Sequence, residues 1–417
     1  MLKIFYDCYQ VLSKVYSDGA FLKQSLSDTY IEELNRAKTT KICYGALDND
    51  ILLEYYISKL CVKRPKNAIR IILKIAMFSI DFLNYHPYAV VDNSVELLKK
   101  MGKGGSAGFV NAVLRKFINA KIDLPVDEIE NLSVKYSYPE FAVKTLISDY
   151  GKSTAIDIMQ SRNERTFVRF NDGVDGENYL KNGGYKYVFT PFYNLFSVDN
   201  FKRNPDYDRG LYTFQSIGSV AICSLVGSGD NLLDACAAPG GKSVFLADRF
   251  KKVVSCELHE HRAKLISSYA ERMGKTNITV VNADSTVFIP EYENKFDAVL
   301  VDAPCSGFGV VGENPDIKIK RWEEDISRLC DIQYSILKNV SKYLKNFGVL
   351  CYSTCSVFKN ENDEVCKRFL NEHTDFKAVP VESQLNGIKT EVGISFLPHI
   401  SDGAGFYFCK MVKAGVK

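Results

Sequence analysis

Five stretches of the chain carry residue types that could do chemistry together. The first is Asp234-Ala-Cys-Ala-Ala-Pro-Gly-Gly-Lys-Ser243, which follows an apolar run and precedes a helical pattern. Open α/β sheets bind ligands beyond the carboxyl ends of their strands, where glycines let the backbone approach closely. A Walker P-loop would need glycine at 236, which is cysteine, and no G-x-G-x-x-G fingerprint occurs. The next two stretches end in Glu257 and Ala283-Asp284, carboxylates suited to ribose hydroxyls and an adenine amino group. Glycines, Glu257 and Asp284 at three successive strand ends fit an adenosine-containing ligand. Alone, each carboxylate reads as a solvated loop residue.

The last two stretches are Asp302-Ala-Pro-Cys-Ser-Gly307 and Tyr352-Ser-Thr-Cys-Ser356. Proline cannot continue a central strand, so Pro304 turns the chain at the ligand edge. Cys305 and Cys355 are thereby expected at strand ends facing one crevice. A single strand-end cysteine is normally a small buried hydrophobe. Two of them, each beside Ser or Thr hydroxyls at the binding edge, point to thiol chemistry.

The elements that must position these residues follow from periodicity. Short apolar runs at 232–236, 253–257, 278–281, 297–302 and 348–352 alternate with helical patterns at 242–250 and 322–344. That alternation predicts a parallel sheet covered on both faces, with Gly405–Val412 as an edge or inserted strand. Residues 1–125 read as helical throughout, with apolar repeats such as Ile69, Ile72, Leu73, Ala76 and Ile80. Ser106 is the expected cap of a helix carrying Val110, Val113 and Leu114. Residues 126–215 read as a small α/β linking module with helices at 139–150 and 153–161 and a strand at 166–171. Residues 216–417 form the sheet domain.

Composition limits the function classes. The 417 residues carry a net charge of only +3, so any nucleic-acid surface is local. Twelve cysteines occur without a C-x-x-C pair and with only five histidines, which argues against structural zinc and for free thiols in a reducing compartment. No metal is expected. The N-terminus lacks a signal-peptide pattern, and the most apolar stretch, 69–83, is broken by Arg70, Lys74 and Asp81. A cytoplasmic protein away from the membrane is expected.

The 234–242, 302–307 and 352–356 motifs, in this order, resemble the Sun/nucleolar-protein family of RNA cytosine-5 methyltransferases. Pro87–Glu96 and Gly108–Phe117 resemble the end of the NusB-like domain that opens its bacterial members acting on 16S ribosomal RNA. The likeness runs from about residue 4 to about residue 412 and is weakest over 172–210. It implies a Rossmann-like, S-adenosylmethionine-dependent catalytic domain behind an all-α NusB-like domain. Cys236, Ala237, Ala238, Pro239, Gly240, Gly241 and Lys242 would wrap the cofactor, Glu257 would hold its ribose and Asp284 its adenine. Asp302 would lie between cofactor and cytosine. Cys355 would be the nucleophile and Cys305 the thiol that assists product release. The implied substrate is 16S ribosomal RNA, unassembled or partly assembled, and the implied state is a monomer. Other readings are the same chemistry on another RNA such as tRNA, a dehydrogenase-like adenosine enzyme, and a non-catalytic RNA-binding relative.

Two positions depart from the family pattern. Gly312-Glu313 replaces a pair of arginines, a loss that Lys318, Lys320 or Arg321 could offset. Ser216 replaces an aspartate after Gln215. Outside the sheet domain, Arg162, Arg165 and Arg169 with Phe167 and Phe170 could form a face for single-stranded RNA, as could Arg115 and Lys116. A solvated strand or helix face explains them equally well.

Overall fold

A computed structural model describes residues 1–162, 165–403 and 405–415. By contacts the chain divides into two compact units. One comprises Met1–Gln160 with Val311–Arg321, and the other Ser161–Val310 with Trp322–Lys417. The expected helices are present in the first unit. They include Leu2–Ser17, Glu33–Asp48, Asn67–Asp81, Pro87–Lys100 and Ala107–Asn119, packed around Phe5, Leu12, Ile72, Leu97 and Leu114. Ser106 precedes the last of these, but its side chain makes no capping bond; a short 3-10 turn at Gly104–Ser106 leads into the helix instead.

Residues 128–160 group with these helices, so the division falls at 160 rather than near 125. The Ser137 hydroxyl accepts from the Leu52 amide, which ties this segment to the helix Asp50–Leu60. The two helices expected at 139–150 and 153–161 run as Glu140–Gln160, interrupted at Gly151, whose φ of 76° is non-helical.

The segment 311–321 is the part of the later chain that joins the helical unit. The Lys318 ammonium, on a side chain 1% exposed, donates to the Asp48 carboxylate and carbonyl, both at 2.6 Å. Lys320 donates to the carbonyls of Gly19 and Ala20, and Asp316 accepts from the Leu22 amide. This corrects the sequence expectation that Lys318 or Lys320 stands free to replace a phosphate contact: both are spent on protein oxygens.

The second unit holds two sheets. The small one has β1 (Phe167–Phe170), β2 (Tyr187–Phe189), β3 (Leu195–Val198) and β4 (Tyr212–Phe214), all antiparallel, in the order β2-β3-β1-β4. Phe167 and Phe170 are buried in the core, and the Arg169 guanidinium, 4% exposed, bonds the Gln215 carbonyl oxygen at 2.7 Å. Arg165 pairs with Asp402. Phe167, Arg169 and Phe170 therefore do not form an open RNA face, because both faces of β1 are covered and all of its side chains are buried.

The large sheet adds β5 (Gly229–Asp234), β6 (Phe250–Glu257), β7 (Ile278–Asn282), β8 (Phe296–Asp302), β9 (Leu344–Thr354), β10 (Phe376–Ala378), β11 (Ile388–Lys389), β12 (Ile394–Phe396) and β13 (Phe406–Lys413). Its order is β11-β12-β13-β9-β8-β5-β6-β7, with β10 beside β13. Strands β5 to β9 are parallel, as their apolar runs require, and β13 is inserted antiparallel between β12 and β9. Helices Ile217–Val226, Gly241–Leu246, Glu260–Arg272, Glu323–Val340 and Asp363–Glu372 are interspersed among the strands. Ser216 caps the first of these through its hydroxyl, a role that aspartate would also fill, so this departure costs the fold little. Among the described residues no helix is long and apolar enough to cross a membrane, and no cluster could hold a metal ion.

Breaking a buried ion pair from one side strands the remaining charge. Asp48→Ala should therefore destabilise the helical unit by about 3 kcal/mol, read as a lower midpoint in urea unfolding followed by circular dichroism.

Candidate active site

Parallel pairing puts the carboxyl ends of β5, β6, β7, β8 and β9 on one edge of the sheet. Asp302 stands opposite Ser353 in the β8–β9 register, so the loops that leave these two strands emerge side by side. Three residues beyond Asp302 and two beyond Ser353, the sulfurs of Cys305 and Cys355 lie 3.2 Å apart. All twelve cysteines are free and seven are buried, the ordinary fate of a small hydrophobe; Cys305 and Cys355 are partly exposed.

The carboxylate of Asp302 is held from two sides. The Lys242 ammonium donates to Oδ2 at 2.6 Å, and the Ser353 hydroxyl donates to Oδ1 at 2.8 Å. Burial works to lower the Lys242 pKa, but the Asp302 charge outweighs it and holds Lys242 above the usual lysine range. Lys242 also lies close enough to Cys355 to interact with it electrostatically. A fixed cation therefore sits behind the acid and near one of the two thiols.

The two cysteine loops rest on a buried carboxylate. Glu361 is fully buried, and its oxygens accept from the Ser306 amide and hydroxyl, the Ser356 hydroxyl and the Gln333 side-chain amide. The Gln333 amide also bonds the Pro304 carbonyl, and the Gly309 amide donates to the Cys355 carbonyl. Gly309 allows this closeness, since a Cβ there would lie 2.1 Å from the Gly405 oxygen and 2.8 Å from the Cys355 oxygen. The Cys355 contact and burial keep the Cys305 thiol well above its ordinary pKa.

The loop 236–242 turns tightly between β5 and the helix Gly241–Leu246. Gly240 has φ +104°, and a Cβ there would press on Ile266 at 3.1 Å. Below it, the Ser255 hydroxyl donates to that of Ser243, which donates to the Asp234 carboxylate. Glu257, 4% exposed at the end of β6, accepts from the His259 amide and meets the Arg262 guanidinium at 3.4 Å. The Asp284 carboxylate accepts from the Thr286 amide and hydroxyl.

Comparison with known proteins matches two separate parts of the chain. Residues 225–412 match the family described as 16S rRNA methyltransferase RsmB/F, and residues 2–119 match the NusB family. The chain is 31% identical to the probable ribosomal RNA small subunit methyltransferase B of Bacillus subtilis, across 97% of this chain and 96% of that protein. The chain belongs to the RsmB/F methyltransferase family. It is also 28% identical to ribosomal RNA small subunit methyltransferase B of Photorhabdus laumondii, over 99% of this chain and all of that one. Among solved structures, PH0851 shares the fold with a TM-score of 0.84 at 23% identity, over 99% of both chains. NSun6 from Pyrococcus horikoshii, solved with SFG, gives 0.59 at 18% identity and covers 67% of this chain and 100% of that one.

The RsmB/F family is S-adenosylmethionine-dependent, and the residues at the strand ends fit that cofactor. Glu257 and Asp284 offer acceptor oxygens to hydroxyl and amino donors, and the Gly240 turn leaves backbone room beside them. Sequence reasoning placed Cys305, Cys355, Asp302, Lys242, Glu257 and Asp284 at this edge, and the structure gathers them there. It did not foresee that Lys242 pairs with Asp302, or that Arg262 spans Glu257 and the Ala238 carbonyl. It also missed Glu361 and Gln333. The repeated Cys-Ser at 305–306 and 355–356 was the one signal that something shared lay beneath both loops.

Because Cys305 is held as a thiol, its alkylation by iodoacetamide in the free protein should still be climbing at pH 9. Site-resolved mass spectrometry across a pH series measures this; a plateau at neutral pH would contradict the assignment.

Proposed function

We propose that this protein methylates carbon 5 of a cytosine in 16S ribosomal RNA, with Cys355 as nucleophile. The observation that supports this most directly is the pair of sulfurs 3.2 Å apart beside the Asp302–Lys242 pair. Similarity to ribosomal RNA small subunit methyltransferase B along nearly the whole chain supports the choice of RNA.

Carbon 5 of cytosine is a poor nucleophile, and a thiolate corrects this by adding at carbon 6. The Cys355 thiol gives up its proton to solvent, its sulfur forms a bond to carbon 6, and the π pair of the 5,6 double bond becomes available at carbon 5. At the ring-nitrogen edge of the base the Asp302 carboxylate accepts from the 4-amino group, and the Lys242 cation behind it offsets the negative charge that develops on the ring. S-adenosylmethionine, held by residues 236–242, Glu257 and Asp284, supplies an electrophilic methyl group when bound. A base positioned by Cys305, itself held as a thiol, then takes the proton from carbon 5. The electrons of that C–H bond restore the double bond, and the sulfur–carbon 6 bond breaks with its pair returning to Cys355. The target base must leave its stack to reach these groups.

Incubation with labelled S-adenosylmethionine and protein-free small-subunit RNA tests the reading. Cys355→Ala should abolish methyl transfer, and Cys305→Ala should accumulate an RNA–protein adduct that survives denaturation. Full activity in Cys355→Ala would sink the mechanism. Cofactor binding without methylation of any RNA would instead favour a non-catalytic RNA-binding relative.

A further inference from the structure

We infer that Glu361 is a positioning residue that sets the two active-site thiols against each other and keeps their roles distinct. The inference rests on the assignment of Cys355 and Cys305 above. It concerns a residue that touches neither the base nor the cofactor in that assignment.

The geometry is that of a shared anchor. The serine after each cysteine donates its hydroxyl to the same carboxylate oxygen, Oε2, at 2.5 Å for Ser306 and 2.6 Å for Ser356. The two hydroxyl oxygens lie 3.2 Å apart, the same separation as the two sulfurs one residue earlier. Oε1 takes the Ser306 amide at 2.8 Å and the Gln333 amide at 3.1 Å. The Glu361 backbone is fixed as well, since the Tyr352 hydroxyl donates to its carbonyl at 2.6 Å. Asn362 next to it bonds both Thr354 and the Ser356 carbonyl. Two loops from different strands are thus pinned through one side chain.

The carboxylate is buried without a counterion. Among the described residues no cation lies within ion-pair distance of Glu361, and Lys359 on its own turn is exposed. Its titratable neighbours are Cys305, Cys330 and Tyr352. A negative charge beside a thiol opposes formation of the thiolate, and a positive charge favours it. Glu361 faces Cys305, whereas Lys242 interacts with Cys355. The two thiols are near neighbours in mirrored Cys-Ser loops, yet Glu361 sets a negative charge against Cys305 alone, while the charges nearest Cys355 are the paired Lys242 and Asp302. The Glu361 charge thus opposes ionisation of Cys305 and leaves the nucleophile's part to Cys355.

Two substitutions separate charge from reach. Glu361→Gln keeps the shape and removes the charge; Glu361→Asp keeps the charge and withdraws it from the serines. The alkylation of Cys305 by iodoacetamide is followed against pH in full-length Cys355→Ala protein with each change added. Methyl transfer to small-subunit RNA is followed in the otherwise unaltered protein. Glu361→Gln should move the Cys305 alkylation midpoint down by about one pH unit. Glu361→Asp should leave the midpoint where the Cys355→Ala protein alone has it but slow transfer about tenfold through lost alignment. An unchanged midpoint in Glu361→Gln together with wild-type transfer in Glu361→Asp would overturn the inference. The alkylation readout needs no RNA, so it stands or falls separately from the proposed activity.

Discussion

Parallel hydrogen bonding between β8 and β9, with Asp302 opposite Ser353, is the constraint on which the site depends. Parallel strands must end on the same edge, so the loops leaving them begin as neighbours. The Ser353 hydroxyl then bonds Asp302 across the pair, and the next residues bring the two sulfurs into contact. A slip of one residue would turn Asp302 into the opposite face of the sheet and part the thiols. The side chains of β8 and β9, from Val299 to Val301 and from Leu350 to Tyr352, oppose such a slip because they are packed into separate cores on the two faces and each would have to exchange one core for the other.

Charge is arranged around this pairing with little surplus. Lys242 is largely withdrawn from water, its side chain 13% exposed, and Asp302 offsets the cost. The same pair leaves a cation near Cys355 and an acid at the edge proposed to bind the base, so one ion pair would serve both the fold and the proposed chemistry. Under the loops, Glu361 has no such cation among the described residues and relies on four hydrogen-bond donors instead. Buried polar groups that are fully bonded rigidify their surroundings, which suits a site whose reacting atoms must hold sub-ångström alignment.

The segment 311–321 shows how chain order and packing can diverge. It follows the Cys305 loop directly in sequence, yet its Lys318 and Asp316 are satisfied by Asp48 and the Leu22 amide. The polar residues there read as surface in the sequence because a partner almost three hundred positions away leaves no local trace.

The residue pattern alone was enough for the helical N-terminal segment, the parallel strands and the strand-end location of Cys305, Cys355, Asp302, Glu257 and Asp284, but not for the division at 160. These follow from local physics: helical and strand periodicities, the turn forced by Pro304, and glycines where backbone must come close. Only the tertiary structure decided which side chains meet. The Lys242–Asp302 pair, the inward turn of Arg169 and the shared anchor at Glu361 join residues 46 to 60 positions apart. No spacing rule reaches that far. Whether such a charge faces water or a partner is fixed by the sheet register and the packing around it, and burial then makes the pairing obligatory.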